Sequence, residues 1–383
     1  MKRFFALCVA LIIVLSLFSA CSGDAPTGDT KLDKEIVGTV GGVEVTQADY
    51  NLVYRTMYDN FSQYEQYFGA DWFIQSYDGI STLGQMISQN TASQLEVMIA
   101  ATVLAKEKYG IKEDSKEIEK DVNKEYKAFK ENFSTDSEYE KFLSEAKTTD
   151  KAVKNSIRMS KVMLLLQEKI SKKGEAAYVS DEEALEGFSE EKMRVQHILV
   201  STQEQTDPET GDVVPARSDK EALKIVDEIL GKLKKGEDFD SLIDKYDEDP
   251  GMESGKFYVF GTGEMVQEFE DASKALKIGE YTKQGVKTDY GYHIIKRYDV
   301  NAELPEFAEY KENLINQKFG EILNFRAEEF EISWKTDELD KYVFNWVNEI
   351  RSAKGAEPIT EEMMGISLPT EEELKNETKK ENE

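Results

Sequence analysis

Two short apolar runs, Arg194-Val-Gln-His-Ile-Leu-Val200 and Tyr290-Gly-Tyr-His-Ile-Ile-Lys296, constrain this chain more than any other feature. Each is rich in β-branched or aromatic residues, as a short buried strand requires. Each also carries one of the only two histidines in 383 residues. Bringing the two runs into one small sheet carries both imidazoles inward, where each needs a hydrogen-bond partner. On spacing alone they read as two satisfied core histidines. The residues between them supply a second reading.

Between the runs come Phe239-Asp-Ser-Leu-Ile-Asp-Lys-Tyr-Asp-Glu-Asp-Pro-Gly251, then Gly263-Glu-Met-Val-Gln-Glu-Phe-Glu-Asp-Ala-Ser-Lys-Ala-Leu-Lys-Ile-Gly-Glu280, then Val286-Lys-Thr-Asp289. From about Arg194 to Tyr298 this order of motifs resembles a parvulin-type peptidyl-prolyl cis/trans isomerase. The resemblance implies a polar group of His197, Asp249, His293 and Thr288 beside a proline slot lined by Phe257, Met265 and Phe269. Where the family usually shows Gly-Asp-Leu-Gly and an aromatic, this chain has Gly255-Lys-Phe-Tyr-Val-Phe260, so Tyr258 puts a large side chain where backbone normally passes. That departure keeps a second expectation in play, a non-catalytic holdase that retains the module for binding. The loop from Ser201 to Ser218 carries Glu204, Asp207, Glu209 and Asp212 against a lone Arg217, so recognition of phospho-Ser/Thr-Pro is not expected.

The N-terminus sets the expected compartment. Lys2 and Arg3 precede an apolar run from Phe4 to Phe18, shorter than the ~20 residues of a membrane-spanning helix. Ser19-Ala20-Cys21 then resembles a bacterial lipoprotein signal, with residues 1–20 removed, Cys21 lipidated and 21–34 forming a tether. An ordinary secretory signal or an uncleaved anchor is the alternative. Cys8, the only other cysteine, lies in the removed segment, so thiol redox chemistry and thiolate metal sites are excluded from the mature chain. Loss of Lys2 and Arg3 takes the formal charge from −28 to −30. With no basic stripe to neutralise phosphates, nucleic acid is not an expected partner.

The rest of the chain is mainly helical. Ile36-Val-Gly-Thr-Val40 and Val43-Glu-Val45 flank Gly41-Gly42, a hairpin signal, and Thr46 with Asp49 predicts a capped helix start. Leu95, Met98, Ile99, Thr102 and Val103 mark one helix face that Gly110 should end. Val162 to Leu166 are apolar nearly all round, which predicts a buried helix, and Ser180-Asp-Glu-Glu183 opens another. Pro305 suits the first turn of a helix reaching about Phe330, and Thr336 is expected to cap one carrying Leu339, Tyr342, Val343 and Trp346. Tyr50, Tyr54, Tyr58, Phe61, Tyr64 and Phe68 form an aromatic stripe that reads first as a core seam and second as a client-binding groove.

The expected class is α+β, a mostly helical chaperone domain made of N- and C-terminal segments, with an inserted parvulin domain of a small antiparallel sheet surrounded by helices. The expected segments are an N-terminal domain over 35–185, the isomerase over 190–300, C-terminal helices over 301–365 and an acidic disordered tail over 366–383. This arrangement resembles the PrsA-type extracytoplasmic foldase lipoproteins, with a SurA-like N-terminal chaperone region. The resemblance implies unfolded or partly folded exported polypeptides with Xaa-Pro bonds as clients, a lipid anchor at the outer face of the cell membrane, and leaves a homodimer open. No phosphate loop, His-Glu metal pattern or Ser-His-acid arrangement occurs, so no cofactor or metal is expected. A solute-binding lipoprotein would call for alternating βα units, which the chain lacks.

Overall fold

The computed structural model describes residues 28–76, 81–206 and 213–364. The signal, the Cys21 site and the acidic tail therefore lie outside the described residues. The chain divides into two units, one running to Tyr178 and resuming at Gln317, the other spanning Val179–Asn316.

The first unit opens on the predicted hairpin, Ile36–Val40 and Val43–Thr46. Gly41 and Gly42 both take positive φ, 56° and 79°, as a tight hairpin turn of two residues requires. A third strand, Ile332–Trp334, pairs antiparallel with the first and was not legible beforehand, since three residues give no periodicity to detect. It sets Trp334 on Gly38, where any Cβ would collide with the indole. Thr46 and Asp49 form the expected capping box at the start of helix Gln47–Phe61. Gly110 ends helix Leu83–Tyr109 in the left-handed conformation.

Described residues from both the N-terminal and the C-terminal segment of this unit build its cores. Tyr54 packs edge-on to Trp346 at 5.3 Å, and Tyr50 packs against Trp334 at 6.1 Å. Phe319 and Leu323 join Val122, Phe129 and Leu166 in a second cluster. Three sequence expectations change here. The aromatic stripe does not follow one helix, because helix Gln47–Phe61 gives way to a 3-10 turn at Ser62–Tyr64. Tyr50, Tyr54 and Tyr58 are core, while Phe68 is exposed. Helix Asp150–Ile170 is not buried all round, since Leu164 faces solvent while Val162 and Leu166 are enclosed. Thr336 is the first residue of helix Thr336–Ala353 and makes no cap; Lys335 precedes it without a side-chain bond.

The second unit is built on a four-stranded antiparallel sheet, in the order Tyr258–Phe260, Met193–Ser201, Gly291–Tyr298, Val286–Thr288. Alternation along the two central strands divides the packing. Ile198, Val200, Tyr292 and Ile294 meet Val226, Ile229, Leu242 and Ile243 of helices Asp219–Lys234 and Phe239–Tyr246. Met193, Val195 and Ile295 face the other way, onto Phe260 and Phe269. Helix Asp181–Glu191 and the beginning of helix Pro305–Glu328 also fall in this unit. The sequence starts the C-terminal helices at 301, but residues through Asn316 group with the sheet because Phe307 and Tyr310 pack on Phe188 at 5.7 and 5.4 Å.

Candidate active site

The two imidazoles project from neighbouring strands on the same face. In the ladder His293 lies opposite Leu199 and His197 opposite Ile295, and residues two apart on a strand share a face. The rings stack with centroids 5.1 Å apart and planes 16° from parallel. Their Nδ1 atoms are 2.9 Å apart. Beyond His293, Nε2 is 2.8 Å from the Thr288 hydroxyl. Beyond His197, Nε2 is 2.8 Å from Asp249 Oδ2.

With one proton on each ring, this row has a single direction. A carboxylate only accepts, so His197 Nε2 donates to Asp249 and its Nδ1 accepts from His293 Nδ1. His293 Nε2 then accepts from the Thr288 hydroxyl, which itself takes the Tyr290 N–H at 3.2 Å. Burial first, and the adjacent His197 second, push His293 down to about 3 and keep it neutral. Asp249 is held well below the usual carboxylate range, chiefly by the His197 bond acting against its partial burial. The Gly251 N–H at 2.9 Å and the Tyr258 hydroxyl at 2.9 Å add to that effect.

Asp249 is placed by the segment before it. Helix Phe239–Tyr246 ends, and the next residues lie along the end of the Met193–Ser201 strand. Leu199 N–H donates to Asp247 Oδ1 at 2.7 Å, Glu248 N–H donates to the Leu199 carbonyl at 3.0 Å, and Ser201 N–H donates to Glu248 Oε2 at 2.7 Å. Arg217 is spent on the same Glu248, with nitrogens 2.5 and 2.7 Å from its two oxygens, so it points to no phosphate-binding role.

The partly enclosed Asp247 carboxyl is pushed up to about 6 by burial. The sign for stability follows. A carboxyl whose pKa is higher in the fold than in the unfolded chain costs stability as pH rises from about 4 to 6, at about 1.4 kcal/mol per unit. Asp247→Asn removes that dependence. Its stability relative to the parent should therefore shift in the variant's favour by about 2 to 3 kcal/mol between pH 4 and pH 7. Urea titrations read by hydrogen exchange in the Met193–Ser201 strand test this, and a difference that stays constant with pH would refute it.

A cavity of about 660 Å³ lies over the row. His197, His293 and Asp249 form its polar side, and Met265, Phe269 and Leu199 line its apolar side. Phe269, on helix Gln267–Ala275, stands edge-on to both imidazoles, 5.3 Å from each. Met265 is fixed by its N–H, which donates to the buried Glu270 carboxylate at 2.9 Å.

Six of the residues expected from sequence thus come together: His197, Asp249, His293, Thr288, Met265 and Phe269. Phe257 does not join them. It lies on the opposite face, edge-on to Tyr298 at 4.9 Å and under the Arg194 guanidinium at 3.6 Å. The neighbouring Tyr258 lines the cavity in its stead. Among the residues that sequence reasoning missed are Tyr258 and Leu199, which line the cavity, and Asp247 and Glu270, which bond to the backbone of Leu199 and Met265. Only Tyr258 left a signal, the break in the Gly-Asp-Leu-Gly pattern.

Residues 183–301 match the PPIC-type PPIASE domain, and residues 1–167 match the SurA-like N-terminal domain. Foldase protein PrsA of Caldanaerobacter subterraneus subsp. tengcongensis is 29% identical over 344 residues, covering 86% of this chain and 94% of that protein. Foldase protein PrsA of Geobacillus kaustophilus is 32% identical over 239 residues, 60% of this chain and 72% of that protein. The chain belongs to the PrsA foldase family. Like the family, it carries a parvulin-type peptidyl-prolyl isomerase domain, α+β in class, with a SurA-like helical N-terminal region. The crystal structure of PrsA from Bacillus subtilis is similar over 77% of this chain and 90% of that one, at 23% identity and a TM-score of 0.24.

Proposed function

We propose that this PrsA-family foldase acts outside the cytoplasm on exported polypeptides, rotating Xaa-Pro bonds in the cavity lined by Met265, Phe269, His293, His197 and Asp249. The observation that carries this is the row itself: four polar side chains stand in unbroken hydrogen-bond contact, and three of them, His197, His293 and Asp249, form the polar wall of an apolar slot, with Thr288 behind His293. No covalent bond has to be made or broken. Rotation about the peptide bond must cross about 18 to 20 kcal/mol of lost conjugation, and each ~1.4 kcal/mol by which the twisted amide is bound better than the planar one gives tenfold in rate.

The parts divide that work. Met265 and Phe269 hold the pyrrolidine ring. The slot withholds water from the planar, charge-separated amide, and the Asp249 carboxylate on its wall disfavours the negative carbonyl oxygen of that form. His197 and His293 act by fixing where that carboxylate and the wall stand, and a neutral His293 adds no opposing charge. Asp249 has no nucleophilic role.

A protease-coupled isomerisation assay on the intact chain, with several residues tested before proline, checks this account. Acceleration above the uncatalysed rate is expected; a flat result across the panel would leave the holdase alternative. The anchor is a separate part of the proposal, supported by Ser19-Ala20-Cys21 after an apolar run. Cys21→Ala is expected to yield protein released from membranes or left unprocessed. Normal processing and membrane retention of that variant would contradict lipidation.

A further inference from the structure

We propose that Tyr258 is a positioning residue of this isomerase, holding Asp249 against His197 from the pocket wall; the proposal rests on the isomerase reading above. Its hydroxyl donates to Asp249 Oδ2 at 2.9 Å, the same oxygen that takes the His197 Nε2 proton at 2.8 Å. The other carboxylate oxygen accepts the Gly251 N–H at 2.9 Å. Three donors thus converge on one carboxylate, and Tyr258 provides the only one that is neither part of the histidine row nor part of the backbone beside Asp249. The ring sits 5.4 Å from the His197 ring, tilted by 43°, so it bounds the cavity from the same side.

A second observation ties this contact to the loop after Asp249. A Cβ built on Gly251 would run into the Tyr258 hydroxyl, whereas its approach to Asp249 Oδ1, at 3.3 Å, is tight but asks for a shift of only a few tenths of an ångström. Glycine at 251 therefore leaves room for the hydroxyl to reach Asp249. The large side chain at 258 does not obstruct the site. Strand parity turns it into the pocket and turns Phe257 out.

The test measures kcat and KM of the intact protein with one Xaa-Pro peptide, together with the nitrogen resonances of ¹⁵N-labelled histidine, of which the chain has two. Tyr258→Phe keeps the ring and removes the hydroxyl. It should lower kcat about tenfold with little change in KM, in keeping with the loss of a hydrogen bond to a charged group, and should shift the His197 Nε2 resonance. Gly251→Ala should lower kcat similarly in the parent yet do little in the Tyr258→Phe background, since the collision is gone. Unchanged kcat and unchanged His197 resonances in Tyr258→Phe would overturn the proposal, as would full additivity of the two substitutions. If the parent shows no isomerisation, the isomerase reading fails by itself. The His197 resonance then decides on Tyr258 alone: a shift in Tyr258→Phe supports the contact, and its absence refutes it.

Discussion

Phe269→Ala is expected to lower kcat/KM for an Xaa-Pro peptide by about tenfold or more, since burying a ring of this size is worth ~1.5 to 3 kcal/mol. The residue does two jobs at once. Its ring closes the slot beside Met265 and stands edge-on to both imidazoles. It also belongs to the core cluster of Met193, Val195, Phe260 and Ile295, so truncation to alanine will cost stability, at about 3 to 5 kcal/mol for a buried phenylalanine. Phe269→Leu separates the two effects. It retains most of the volume and should restore the fold, while leaving much of the kinetic loss, seen as a raised KM. Full activity in the leucine variant would mean that the aromatic ring matters for packing only.

The second large effect is expected at Asp249. Asp249→Asn keeps the size of the side chain and one carbonyl acceptor for His197 Nε2, but removes the charge. It should lower kcat about tenfold to a hundredfold, as a hydrogen bond to an ionised partner is worth about 1.5 to 3 kcal/mol. KM should change little, because the apolar wall that holds the proline ring is untouched. His197→Ala loses turnover as well, but it also leaves His293 Nδ1 without its partner in a buried place. The informative comparison is therefore kcat for Asp249→Asn against the urea midpoint of His197→Ala. Unchanged turnover in the first with unfolding in the second would make the row a structural device.

Much of the site was legible because strand alternation is a strong signal. Two apolar runs, each with a histidine at an inward position, point to one small sheet, and the resemblance to parvulins places the two rings in one site. The Phe257 assignment failed by one residue. Tyr258 pairs with Val195 and Val259 with Arg194, so 258 and 260 lie on the face that carries the pocket, Tyr258 lining it and Phe260 in the core beneath, while 257 lies on the other face. A shift of one residue exchanges the two faces of a strand, and a three-residue strand carries too little pattern to set its own parity. Likeness to the Gly-Asp-Leu-Gly pattern could not correct this, because the glycine that normally follows the pocket residue is the very position occupied by Tyr258.

In the first unit the same limits recur. The strand Ile332–Trp334 is defined by its partner, Ile36–Val40, far away in sequence. Leu164 shows that an apolar stretch on a helix need not be enclosed on every side. Capping boxes were read well where both members are local, as at Thr46 and Asp49, and poorly at Thr336, where helix Thr336–Ala353 begins one residue early.

Asp249 stands at the head of a row of hydrogen bonds in which burial keeps His293 neutral, and the nitrogen spectrum of the two histidines tests this most directly. Because burial pushes His293 down to about 3, the intact protein should show one protonated and one bare nitrogen on that ring at every pH from 8 to 5. The proton should sit on Nδ1 at pH 8, with Nε2 bare beside the Thr288 hydroxyl. A His293 ring that gains its second proton with a midpoint near the ordinary imidazole value of about 6.5 would contradict the buried, neutral row on which this account of the site depends.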